Sequence, residues 1–398
     1  MTDAVWITPA YPWADEPVAG IFFQTQARAL VRQGGTTTVV CPTPWAPWPM
    51  PLIRPRWKRY AEVPRLTTDV GVTVARPAYL NVPGEPTWAM PDRLIARAAW
   101  RARPIWERAA IVHGHTAVTG LAAWRLARRA RLPYVLTFHG SDMNTWPDAH
   151  PERLGDLRAA ARSASAVFAV SSALADRVRD VTGVVATHLP IGSHHAALAA
   201  LRLPRDAARD SLGLPQDRVV VLFVGNLLPA KGVCGLADAI RSLGAPFLGV
   251  FVGSGPELGY GRDDPATAAL LDYRGARPHA EVATYMSAAD VLVLPSEREG
   301  LPTVLVEAGS LGLPVIASAV GGIPELLANG RGTLLPDTSA EAIAAATRSF
   351  ADHRAEAELA ADRLGEHVRR DYDVDTSAAR LLEVYASVIA GGGAAAAR

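Results

Sequence analysis

The chain has 398 residues, 49% hydrophobic and 20% charged, which suits two ordinary globular domains better than one oversized core and excludes disorder as a global description. Forty basic residues against thirty-nine acidic ones leave a formal net charge of +1, so no overall field recruits nucleic acid or anionic lipid, and any such partner must meet a local patch. Cys41 and Cys234 stand far apart with neither a CxxC nor a His-rich companion, which argues against a disulfide framework or structural zinc and suits a reducing cytoplasm.

Residues 1–6 carry Asp3 and no basic run, and the first apolar stretch breaks at Pro9, unlike a signal peptide. The next strands are expected at 5–8, 37–41, 72–75, 111–113, 134–138 and 166–170. Between them Phe22, Gln26 and Leu30, then Leu121, Trp124 and Ala127, recur at the spacing of one helix face. Such alternation predicts βαβ units and a parallel sheet covered on both faces. Residues 42–65 interrupt it: they show no strand or helix period, many prolines, and Trp45, Trp48 and Trp57 interleaved with Arg54, Arg56, Lys58 and Arg59. A loop of this length is functional or disordered.

Residues 189–216, rich in Ala, Arg and Pro and containing His194 and His195, have the composition of a linker and a first surface helix, which puts a domain boundary near Arg202. A second sheet is expected at 219–224, 247–252, 291–294, 315–317 and 332–335. The most apolar stretch, 311–328, is interrupted by Pro314, Gly321, Gly322, Pro324 and Glu325, whereas a bilayer demands about 20 unbroken apolar residues. A last amphipathic segment follows the acidic residues 371–375, and the tail 391–398, GGGAAAAR, is expected to be disordered. The fold class is α/β, with domains at 1–201 and 202–375.

The strongest local signal is PSEREGLPTVLVEAGSLGLPVIAS, which sets Glu299 and Glu307 eight residues apart across a strand-to-helix turn. Glu299-Gly300-Leu301-Pro302 forms the turn and residues 303–311 the helix, whose first N–H groups attract phosphate at the carboxyl end of the sheet. The competing reading makes Glu299 a helix cap and Glu307 a solvent-facing residue. In VLFVGNLLPAKGV a strand runs into Gly225-Asn226 and then Lys231-Gly232, and Lys231 is one of only two lysines, the other being Lys58. A compact ammonium binds phosphate as a point charge where a planar guanidinium does not fit. No GxxxxGK[ST] loop is present, and Gly253-Ser254-Gly255 fails as a dinucleotide fingerprint because Gly259 comes one residue late.

In the first half, His139-Gly140-Ser141-Asp142 and His113-Gly114-His115 both end expected strands, where open α/β sheets bind ligands. His139 and Asp142 are therefore placed to touch substrate, while His113 and His115 are equally well read as ordinary turn histidines. The DxD of Asp371-Tyr372-Asp373 precedes the last helix and reads as capping.

The segments 20–40, 137–142, 224–232, 253–257 and 299–307 resemble the retaining GT-B glycosyltransferases of family 4, over nearly the whole chain, and Glu-x7-Glu is the most specific element. The resemblance implies two Rossmann-like domains whose parallel sheets face a cleft, with helix 376–390 packing back on the first domain. It implies a nucleoside-diphosphate sugar, UDP-linked, as co-substrate, no metal or other cofactor, and a glycan, lipid-linked or small-molecule acceptor held mainly by the first domain. Carried over residue by residue, Lys231 neutralises the diphosphate beside Gly225 and Asn226, and Glu299, with Gly300 and the amides of Leu301, Pro302 and Thr303, holds sugar and phosphate. Glu307 takes the ribose, Arg277 lies where the nucleobase is met, Gly20 lets the first loop approach the diphosphate, and His139 sits at the reacting centre with His113 and Asp142 toward the acceptor. Asn226 departs from the arginine common at this position and removes one fixed positive charge. The expected location is the cytoplasm, with peripheral contact at the inner membrane face through 42–65. A GT-B-like sugar-nucleotide epimerase, a glycosyl phosphorylase and a noncatalytic partner subunit are the alternatives, and no nucleic acid is expected as a partner.

Overall fold

The β-branched runs form strands and the Ala- and Leu-rich runs form helices in a computed structural model that describes residues 3–49, 55–81 and 91–396. Contacts divide the chain into two units: one takes the residues up to Ile191 together with those from Val374 onward, the other spans Gly192–Asp373.

The first unit holds β1 (Asp3–Ile7), β2 (Thr36–Val40), β3 (Thr43–Trp45), β4 (Leu66–Asp69), β5 (Val72–Ala75), β6 (Ala78–Leu80), β7 (Ile111–His115), β8 (Tyr134–Phe138), β9 (Ala166–Ala169) and β10 (Thr187–His188). Eight strands pair in the order β10-β9-β8-β7-β1-β2-β5-β4, all parallel except the final β5–β4 hairpin pair. The order reverses between β1 and β7, and every residue of β7 and β8 is buried, as expected of central parallel strands. The other unit holds β11 (Val219–Val224), β12 (Phe247–Val252), β13 (Leu271–Gly275), β14 (Val291–Leu294), β15 (Val315–Ser318) and β16 (Thr333–Leu335), all parallel in the order β13-β12-β11-β14-β15-β16, reversing between β11 and β14.

Three expectations change. Residues 42–65 are not one featureless loop: β3 pairs with β6, and Pro55–Glu62 is a helix that buries Trp57 against the unit, while Arg54 lies outside the described residues. The boundary falls at 191/192 rather than near Arg202, because helix His195–Leu201 packs on helix Thr303–Leu311 of the second unit and His195 Nδ1 lies 2.6 Å from Ser310 Oγ. The last helix runs Val374–Ala396, through most of the tail expected to be disordered, continuing across Gly391-Gly392-Gly393 without a break. Residues 397–398 are outside the described set. No helix among the described residues is long and apolar enough to cross a membrane.

That last helix completes the first core. Ala378, Leu381 and Tyr385 join Trp6, Phe23, Leu30 and Val39 in one buried cluster. Trp6 Nε1–H donates to the Tyr385 hydroxyl at 2.9 Å, that hydroxyl meets His113 Nδ1, and His113 Nε2 lies 2.7 Å from Thr137 Oγ1.

The second unit turns on Asp290, buried between β11 and helix His279–Ala288. Its Oδ2 accepts from Arg209 Nη2 and from the Val220 amide, both at 2.7 Å, and its Oδ1 from Arg354 at 3.0 Å and Arg205 at 3.3 Å. Arg209 is fully buried, so removing its counter-ion leaves a desolvated charge unpaired. Asp290→Ala is expected to lower stability by about 3–5 kcal/mol in urea unfolding, with Asp290→Asn losing less; a midpoint equal to the parent's in Asp290→Ala would contradict this account.

Candidate functional site

In open parallel sheets, loops diverging from the reversal point leave a crevice at the carboxyl ends of the strands. In the second unit those loops follow β11 and β14. The first carries Gly225, Asn226 and Lys231. It is pinned by the loop after β12: the amide of Gly225 donates to Val252 O at 3.0 Å and that of Leu227 to Ser254 O at 2.9 Å. A Cβ on Gly253 would fall 1.8 Å from the Gly225 carbonyl oxygen and one on Gly255 2.2 Å from that of Leu227. The Gly-x-Gly therefore lets two loops touch, which is why it lacks the rest of a dinucleotide fingerprint.

Lys231 ends the short 3-10 turn Pro229–Lys231, and its Nζ lies 2.6 Å from Glu299 Oε1, 68 positions further along the chain. The amide of Glu297 donates to Ala230 O at 2.9 Å and that of Gly322 to Gly300 O at 2.7 Å, so both sides of the pair rest on backbone. Leu301 is buried, and Pro302 is the N-cap of helix Thr303–Leu311, with no side-chain cap and no acidic residue in its first turn. Pro302 has no N–H, so the expected donation by its peptide nitrogen is corrected: it shapes the turn, and the donors are Leu301, Thr303 and the residue after it. Asn226 is exposed at the mouth of its loop.

Glu307, one turn into that helix, is buried, and its Oε1 lies 3.1 Å from His279 Nε2. The bond from Glu307 holds the His279 imidazole above its ordinary value against the opposing effect of burial. His279 escaped sequence reading because it merely opens helix His279–Ala288; its one signal was its place two residues after Arg277. Arg277 is half-exposed, with Nη1 3.9 Å from Glu281 Oε2.

In the first unit the diverging loops follow β1 and β7, with β8 beside them. Gly20 caps helix Ile21–Arg32 at φ 72°, where a Cβ would lie 2.7 Å from the Ala10 carbonyl oxygen. The loop before it is clamped by Tyr11 Oη donating to Asp69 at 2.7 Å and Arg76 Nη2 donating to Pro12 O at 2.8 Å. His139 follows β8, packs against Phe22 and Phe23, and sets Nε2 3.0 Å from His115 Nδ1. Burial drives the His139 pKa down to about 3 and holds His113 and His115 well below their ordinary value, so all three rings are neutral at physiological pH.

Two acceptor-side expectations are corrected. His113 is fully buried, and its nitrogens face Tyr385 and Thr137, so it belongs to the core. Asp142 spends its carboxylate on the turn after β8, accepting from the amides of His139 at 3.0 Å and Gly140 at 2.6 Å, and burial pushes its carboxyl up to about 6. It positions His139. The acidic run before the last helix is also committed: Asp371 pairs with Arg370 at 2.7 Å and with His367 at 2.8 Å, and Asp375 with Arg32 at 2.7 Å. Among the described residues no group of three or more His, Cys, Asp or Glu is arranged to hold a metal ion.

Two α/β units, each built on a parallel sheet of this order, have the GT-B architecture. Family models agree: residues 19–192 match Glycosyltransferase Family 4 and residues 204–370 match Glycosyl transferases group 1. A Bacillus subtilis (strain 168) protein named as a teichuronic acid biosynthesis glycosyltransferase, TuaC, is 34% identical over 388 residues, 96% of this chain and 98% of the relative. The D-inositol 3-phosphate glycosyltransferase of Streptomyces avermitilis is 30% identical over 311 residues, 70% of this chain and 65% of the relative. In fold, the chain resembles sucrose-phosphate synthase from Thermosynechococcus elongatus (TM-score 0.79, 21% identity, 98% of this chain and 100% of the other). It also resembles Anabaena HepE in complex with UDP-glucose (TM-score 0.69, 18% identity, 97% and 100%). The chain belongs to glycosyltransferase family 4 and is a transferase.

The buried histidines set a pH signature. Between about pH 4 and 6 the unfolded chain holds protons on His113, His115 and His139 that the native chain lacks, while native Asp142 holds one that the unfolded chain has lost. The unfolded state then binds more protons at these sites than the native one, so native stability falls as pH falls, each neutral ring contributing up to about 1.4 kcal/mol per unit and Asp142 opposing one of them. Urea midpoints at pH 6.0, 5.0 and 4.5 should drop steeply; a flat profile would show that these rings do not stay neutral.

Proposed function

We propose that the protein transfers a hexose or N-acetylhexosamine, with retention, from a UDP-linked sugar to a hydroxyl of a glycan, lipid-linked or small-molecule acceptor. The observation that carries this reading is the Lys231–Glu299 pair at 2.6 Å beside the uncapped terminus of helix Thr303–Leu311. A diphosphate there meets an ammonium and unpaired amides, which strengthen as the leaving group gains charge and so favour the transition state over the ground state. Glu307, oriented by His279, takes the ribose hydroxyls, and Arg277 borders the base.

On the acceptor side, a histidine with a pKa of about 3 is a poor base at neutral pH. His139 therefore contacts the donor sugar as a neutral ring, while the proton of the incoming hydroxyl passes to a leaving diphosphate oxygen as the C–O bond to the diphosphate breaks and the new glycosidic bond forms. Attack from the leaving group's own face retains configuration. UDP is favoured because HepE, of the same fold, was crystallised with UDP-glucose, and the relatives' names speak for glycan and polyol acceptors. Trp45 and Trp48, 42% and 78% exposed, are the members of residues 42–65 that would meet a lipid interface.

UDP at 100 times its dissociation constant should stabilise the protein by about 2.7 kcal/mol, with GDP and ADP giving less. Lys231→Ala and Glu299→Ala should each lower kcat at least about tenfold, 1.4 kcal/mol of barrier. His139→Ala should lose a comparable amount. Full turnover in folded Lys231→Ala, or no shift with any nucleoside diphosphate, would overturn the reading.

A further inference from the structure

The near-zero net charge conceals a segregation. Residues 91–131 contain nine arginines against Asp92 and Glu107, a local net of +7, so the rest of the chain carries −6. Helix Ala117–Ala130 packs on the first sheet, helix Pro91–Arg101 packs against that helix and β6, and the two helices border an open groove of about 470 Å³ lined by Arg93, Arg97, Trp100, Arg101, Arg125 and Arg129. Arg125 pairs with Asp92 at 2.6 Å; the other eight arginines make no ion pair among the described residues. Guanidiniums lie over both indoles instead, Arg129 at 4.0 Å from the Trp100 centroid and Arg128 and Arg125 at 5.4 and 5.5 Å from that of Trp124. Ile105, 39% exposed, stands just past the first helix.

Helix electrostatics do not explain this. Cations in a last turn gain from the macrodipole, which accounts for Arg101, Arg128 and Arg129, but Arg93 sits in a first turn, where a cation is disfavoured. Arg93, Arg97 and Arg101 repeat at i, i+4, i+8 and Arg125 and Arg129 at i, i+4, and each such like-charge neighbour weakens its helix. The face is thus held at a cost to the free protein, and an anionic partner relieves it.

We propose that this face docks the protein on a bilayer of anionic lipid. Charge complementarity demands an extended anion. Arginine and tryptophan are the residues that settle among head groups, and Ile105 offers an apolar contact at the edge. A glycan or nucleic acid would need bare indole faces for stacking, and here guanidiniums cover them. Helix Pro91–Arg101 leads into β7, and helix Ala117–Ala130 runs from the carboxyl end of β7 to the amino end of β8, so Arg125, Arg128 and Arg129 in its later turns lie away from the loop bearing His139, which follows β8 at the carboxyl edge. This proposal stands apart from the transfer reaction and from residues 42–65.

The test is sedimentation of the full chain with vesicles of 30% phosphatidylglycerol in phosphatidylcholine at 150 mM salt, against pure phosphatidylcholine. Binding should require phosphatidylglycerol, fall with added salt, and weaken at least about tenfold in Arg93→Gln/Arg97→Glu. The same variant should unfold at a urea concentration no lower than the parent's, because like-charge repulsion is removed; that separates a lost surface from a damaged fold. Long-chain polyphosphate serves as the soluble probe. Vesicle binding that survives in the variant, no binding by the parent, or polyphosphate bound while vesicles are ignored would each overturn the proposal, and none bears on whether UDP binds.

Discussion

In each sheet the strand order reverses once, and the chemistry of the chain hangs on the loops that part at that point. Parallel strands send their connections to the same edge, so only where two neighbouring connections leave in opposite directions does a ligand gain access to backbone amides. Lys231 and Glu299 come from the two loops flanking β11 and β14, which is how residues 68 positions apart end 2.6 Å from one another. The glycines serve that constraint. Gly253 and Gly255 permit loop-to-loop contact, and Gly20 lets the chain turn into its helix hard against Ala10.

How much could be read in advance follows from the same physics. Buried strands such as Val219–Val224 and Tyr134–Phe138 announce themselves as apolar runs, whereas Leu271–Gly275 lies at a sheet edge, is half-buried beyond its first residue, and left no pattern. The Glu299 turn and Lys231 were legible because punctuation and composition both marked them. His279 was not, since a histidine opening a helix gains meaning only when folding brings Glu307 against it. His113 and Asp142 were misjudged for the converse reason: their position at strand ends was right, but sequence does not show that Tyr385, 272 residues away, or nearby backbone amides already satisfy them.

Tyr385 also shows why the chain must return to its first unit. A buried indole N–H and a buried imidazole each cost free energy unless paired, and both meet at one phenol delivered by the last helix. Neutral rings tolerate burial where imidazolium ions would not, which lets β7 carry His113 and His115 at the centre of the sheet with His139 just past β8. The same burial strips His139 of basicity, so the fold itself narrows what that residue can do in a transfer reaction.

Charge is distributed by the opposite logic. Inside, Asp290 gathers Arg209, Arg205 and Arg354, so the desolvated Asp290 and Arg209 match one another. Outside, eight guanidiniums of residues 91–131 make no ion pair among the described residues, while the rest of the chain runs to excess acid. A chain free to scatter its arginines would lower its free energy by pairing them, so concentrating them on two adjacent helices opposes stability. Selection for stability alone would disperse such a face; selection for a surface that meets an extended anion would keep it.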